Sequence, residues 1–118
     1  GGVGVGVIEA AKEAGKFAIG VDRDQAYLAP ENVLTSALKL VNVAVELVST
    51  EALNGTDIGG KTYTYGLSED AVGIPEENPN MDSAVYDKAM EVEQLIKDGT
   101  IVPPYDKDTY KTYSDSAK

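Results

Sequence analysis

GGVGVGVIEAAKEAGKFAIGVDRDQ, residues 1–25, decides the fold. Val5, Ile8, Ala11 and Ala14 recur at helical spacing, and Gly15 is a helix stop of the C′ kind. The apolar run that follows, from Lys16 to Val21, suits a buried parallel strand. It ends at Asp22-Arg23-Asp24-Gln25, a polar cluster at the strand's carboxyl end. A glycine turn entering a helix, then a strand closed by an acid, is the latter part of a β-α-β unit. The strand that would feed the glycine turn is not in the sequence.

Working outward, Ala26 to Asn32 reads as a loop punctuated by Pro30. Val33 to Thr35 is a short strand, and a helix is expected from Ser36 to about Ser49. Its apolar positions (Ala37, Leu38, Val41, Ala44, Val45 and Val48, widened by Leu40, Val43 and Leu47) leave a single polar face of Lys39, Asn42, Glu46 and Ser49. Asn54 to Gly60 is a loop. Lys61-Thr-Tyr-Thr-Tyr65 alternates as a strand, with Tyr63 and Tyr65 on one face. Asp70 to Ile74 is a second short strand, and Pro75 to Pro79 a loop. Asp82 to Asp98 is a helix with Val85, Ala89, Val92 and Ile96 inward, a Glu93–Lys97 pair and Gly99 as its stop. Thr100 to Val102 pairs briefly, and residues 103–118 form a polar C-terminal tail, frayed at its end. The fold class is α/β, with a largely parallel sheet flanked by helices.

Composition narrows the chemistry. The 118 residues suit one domain, and 42% are apolar. Ten Lys and Arg against 20 Asp and Glu give a net charge of −10, which opposes nucleic acid and anionic lipid. Cysteine and histidine are both absent. Disulfides, thiolate catalysis, the usual zinc sites and histidine triads are thereby excluded. No apolar run is long enough for a membrane span, and no signal peptide is visible.

The glycines do not spell G-x-G-x-x-G, since Gly2, Gly4 and Gly6 alternate. A glycine turn entering a helix still offers free N–H groups and the positive end of a dipole. Asp22 then follows at about the interval at which β-α-β units place an acid against a ribose diol. The alternative is that the glycines serve close packing and Asp22 caps a turn. Lys39, in the first turn of the expected helix, stands against the macrodipole, which can mark a site; otherwise it belongs to the solvated stripe. Asp24 reads as a turn residue, Tyr63 and Tyr65 as sheet packing, and Glu76-Glu77 as loop carboxylates that nothing poises. Without a nucleophile–base pair no catalytic residue is assigned, and neither a metal nor a cofactor is expected.

Taken together, GVIEAAKEAGKFAIGVDRDQ, LAPENVLTSALKLVNVAV and GGKTYTYGLSEDAVGI resemble the basic membrane protein family, also called Med or PnrA-like, from Gly1 to about Val102. The resemblance implies a substrate-binding lipoprotein of an ABC transporter, with a two-lobed periplasmic-binding-protein fold that clamps a purine nucleoside. It implies that Asp22, in GVDRDQ, meets ribose hydroxyls and that Lys39, in TSALK, is a second sugar contact. The backbone of Gly2, Val3 and Gly4 would line the same cleft. The resemblance further implies that residues 1–118 are the C-terminal portion of a larger protein, mostly its second lobe plus crossover segments. The partners implied are the nucleoside, the transporter permease and the missing N-terminal lobe of the same protein, which is extracytoplasmic and lipid-anchored. The reading from another class is a nucleotide-binding Rossmann-like domain of an enzyme. A third is a structural α/β domain without ligand.

Overall fold

The computed structural model describes residues 2–116. The glycine turn opens helix α1 (Gly4–Glu13), whose Ile8 is buried at 2% exposure. The helix ends as the sequence demands: Gly15 takes φ +60, and the Gly15 and Lys16 amides donate to Lys12 and Ala11. Strand β1 (Ala18–Asp22) follows. It alternates buried and exposed rather than being covered on both faces, with Ile19 and Val21 more than half exposed.

Strand β2 (Val33–Lys39) is the main departure from the sequence reading. Ser36 to Lys39 were expected to begin a helix, and they are strand instead. The helix, α2 (Val41–Leu53), starts only after Lys39. The cause is pairing on both sides. β2 runs parallel to β1, from Ala18 opposite Val33 to Asp22 opposite Leu38. On its other side Leu38 and Lys39 pair antiparallel with β3 (Val72–Gly73). Tertiary hydrogen bonds here outweigh the helix preference of Ala-Leu-Lys, which is at most a few tenths of a kcal/mol per residue. Lys39 is therefore no first-turn helix residue. The broad apolar stripe also loses its cover: Val41 and Val45 are 56% and 59% exposed, and no side chain of α2 is fully buried.

The sheet order is β1-β2-β3, parallel and then antiparallel, in a mixed α/β arrangement. Ile8, Ala18, Ala29 and Val33 form one buried cluster. Asn80 fixes the entry to β2, its amide donating to the carbonyls of Pro30 (2.6 Å) and Val33 (2.8 Å). Residues 61–65 make no strand. Tyr63 and Tyr65 nevertheless share one side, their rings stacked 6.1 Å apart at 11°, beside Ala44, Val45 and Val48 of α2. Period-two alternation here serves packing on a helix rather than a backbone ladder.

The chain forms two compact units, divided between Ser83 and Ala84. The second holds most of α3 (Ser83–Lys97), which carries the expected Glu93–Lys97 ion pair at 2.9 Å and stops at Gly99, φ +79. Val85 is 54% exposed rather than inward. Thr100 to Val102 does not pair as a strand; the Ile101 amide instead donates to Leu95, closing the helix end. The polar stretch after Pro103 holds a further helix, α4 (Lys107–Ser116). Asp106 and Thr109 cap it reciprocally: the Thr109 amide donates to Asp106 Oδ1 (2.8 Å), and the Asp106 amide to Thr109 Oγ1 (3.0 Å). The polar tail thus holds a capped helix, and the fraying expected at its end lies outside the described residues.

At Gly20 a side chain has no room. An added Cβ would meet the Ser36 hydroxyl and come within 2.9 Å of Gln25 Cβ. Gly20→Ala should destabilise the fold by about 1–3 kcal/mol, the usual cost of overpacking. An unchanged midpoint in chemical denaturation would show that the turn can give way.

Candidate functional site

The two parallel strands end side by side, and their carboxyl ends carry the charges. Asp22 closes β1 and Lys39 closes β2. Lys39 Nζ lies 3.0 Å from Asp22 Oδ1, with both side chains more than half exposed. Asp22 takes φ +74, a left-handed conformation. Non-glycine residues rarely adopt it, though aspartate does so more readily than most. Such an outlier at a strand end is a reason to look for function there.

A cleft of about 510 Å³ opens beside the pair. Val7 of α1, Ile19 and Val21 of β1, and Val41 of α2 give it apolar walls. Asp22, Arg23 and Lys39 supply charge at the strand ends, and Gly4 brings the start of α1 to the same cleft. The first-turn N–H groups of α1 lack intrahelical partners, as at any helix start. Arg23 is steadied by Tyr27, donating to its hydroxyl at 3.0 Å with the guanidinium 5.7 Å from the ring centre.

Asp22, Lys39 and Gly4, singled out in the sequence, therefore line one cleft. Gly2 and Val3 stand just ahead of α1 and are not part of the cleft lining; Val3 is 79% exposed. Asp24 is a turn residue as read, its Oδ1 accepting from the Ala26 amide at 3.0 Å. The sequence reading missed Ser36 and Gly20, which lie opposite one another on β2 and β1. Ser36 is wholly buried and accepts from the Gln25 amide at 3.0 Å. Its signal in the sequence was a polar residue inside an apolar run, and only the register sets it against a strand glycine. Among the described residues no group of three or more acidic, histidine or cysteine side chains is placed to hold a metal ion. No helix among them is long and apolar enough to cross a membrane.

Residues 1–107 match the model of a family described as ABC transporter substrate-binding protein, PnrA-like. The chain belongs to this family. It is 44% identical over 116 residues to basic membrane protein D of Borreliella burgdorferi, and 41% identical over 114 residues to basic membrane protein A of the same species. Both matches take in 93% of the chain and only 34% and 33% of those proteins, so the chain spans about a third of their length. Among solved structures it is similar to a transcriptional activator of the comK gene from Bacillus halodurans, with a TM-score of 0.72, 28% identity, and coverage of 85% of this chain and 35% of that one. It also shares the fold of an ABC transporter solute-binding protein from Aeropyrum pernix, with a TM-score of 0.66, 24% identity, and coverage of 95% and 41%.

The hydrogen bond and charge of Lys39 hold the Asp22 carboxyl below the usual carboxylate range. A carboxyl whose pKa is depressed on folding adds stability above its unfolded pKa, and this is lost as pH falls through the folded value. Both side chains are exposed, so the stability effect is small. The titration itself is the sharper measurement. In Lys39→Met the Asp22 carboxyl carbon, followed by NMR, should titrate at a higher pH than in the wild type. An unmoved midpoint would mean that the two side chains do not pair in solution.

Proposed function

We propose that this chain forms part of the extracytoplasmic solute-binding component of an ABC transporter and that its cleft takes the ribose of a purine nucleoside. The observation that carries the reading is the Asp22–Lys39 pair at 3.0 Å, set at adjacent carboxyl ends of parallel strands beside an apolar cleft. A carboxylate there accepts from two neighbouring hydroxyls, and an ammonium donates to a sugar oxygen. Walls of Val7, Ile19, Val21 and Val41 suit the apolar faces of a sugar or base. Ligands in open α/β sheets bind beyond the carboxyl ends of the strands, where these residues stand.

A nucleoside must be enclosed to be held well, and the charged pair of this cleft is more than half exposed. The other wall, with the groups that hold the base, is proposed to come from sequence that the relatives carry beyond the third matched here. In this reading the whole protein is two-lobed, non-catalytic and lipid-anchored outside the cytoplasm. Residues 1–118 then supply mostly its second lobe, and a transporter permease receives the loaded form. Gly2 and Val3, beside the start of α1, are proposed to contact the ligand through their backbone once the second wall is in place.

In the full-length protein, Asp22→Ala should weaken purine nucleoside binding about tenfold or more, because a charged acceptor is lost from an enclosed site. A 2′-deoxynucleoside should bind more weakly than its ribose form, leaving the carboxylate half-paired. Calorimetry that finds equal affinities would overturn the ribose assignment, and a preference for NAD over adenosine would favour the dinucleotide-binding enzyme reading instead.

A further inference from the structure

We propose that Ser36, acting with Asp24 and Gln25, is the positioning element that holds Asp22 in place for the ligand. This deepens the nucleoside reading and rests on it. Asp22 sits in a left-handed conformation, φ +74, that its own backbone preference does not supply. Something around it must impose that geometry.

The chain on both sides of Asp22 is pinned. Ahead of it, the Val21 amide donates to Gln25 Oε1 at 2.9 Å. After it, the Gln25 amide donates to Ser36 Oγ at 3.0 Å, and the Ser36 hydroxyl donates to Asp24 Oδ1 at 3.3 Å. The same Asp24 oxygen accepts from the Ala26 amide at 3.0 Å. These bonds close the turn on a single anchor, because Ser36 is wholly buried opposite Gly20. Gly20 leaves the space that lets the hydroxyl and Gln25 approach. Ser36 also lies on the strand that ends at Lys39. One strand therefore fixes the turn that carries Asp22 and presents the cation that meets it. Ser36 acts through Asp22 and is not assigned to ligand contact.

The test uses the full-length protein with adenosine, guanosine and inosine as probes. Ser36→Ala should weaken the nucleoside that binds best by about tenfold, since a buried hydrogen-bonded turn is left unpaired. Asp24→Ala should act in the same direction. Asp24→Asn, which keeps an acceptor oxygen, should restore most of the affinity lost in Asp24→Ala. The decisive comparison is the double variant: Ser36→Ala with Asp22→Ala should bind no more weakly than Asp22→Ala alone. A merely structural role would give additive losses and overturn the proposal, as would wild-type affinity in both alanine variants. If Ser36→Ala fails to fold, the Asp24 pair and its combination with Asp22→Ala carry the test. Should the wild type bind none of the three nucleosides, the ligand reading fails separately. The Asp22 carboxyl titration then decides. A midpoint raised by Ser36→Ala or Asp24→Ala shows that the turn sets Asp22 against Lys39, and an unmoved one overturns the positioning role.

Discussion

Strand β2 is hydrogen-bonded on both sides, parallel to β1 and antiparallel to β3, and the site depends on this. The parallel ladder brings Asp22 level with the end of β2, so that a charge at each strand end meets the other. The short antiparallel contact keeps Lys39 in the sheet rather than in the following helix. Between these ends, the facing Gly20 and Ser36 let the turn after β1 fold back onto β2. Remove the two-sided pairing and Ala-Leu-Lys has every local reason to coil. The ion pair would then have no frame.

That dependence explains which parts of the fold were legible in the sequence. α1, β1 and α3 announce themselves locally, through helical spacing, an apolar run, and glycines at positions that take positive φ. The end of β2 has no local announcement, because its state is decided by partners that lie far along the chain. The tyrosine alternation misled for a related reason. Its period was real and its one-sidedness correct, but no neighbouring strand turned it into a ladder. The final helix was missed, although Asp106-Lys-Asp-Thr109 has the spacing of a capping box.

At the site the balance is similar. Asp22 could be found from its place after a strand, and the conformation that makes it unusual could not. Lys39 was singled out on a macrodipole argument that does not hold, since the residue lies in β2, and its proper partner is the carboxylate beside it. Likeness to a family supplied the pair of names; geometry supplied the reason they belong together. Ser36 escaped because a serine ahead of apolar helix formers resembles an N-cap, and only the strand register reveals it as a buried anchor.

The unit that begins at Ala84 has two helices and, among its described residues, no fully buried side chain. Its order rests on caps, the Lys88–Glu91 and Glu93–Lys97 pairs, and partly covered apolar side chains. Such terms are individually worth a few tenths to one kcal/mol. The amides of this unit should therefore open and exchange with solvent hydrogen well before those of β1 and β2. The residues that line the cleft all belong to the other unit, so the segment that loosens first is not the one that carries Asp22 and Lys39.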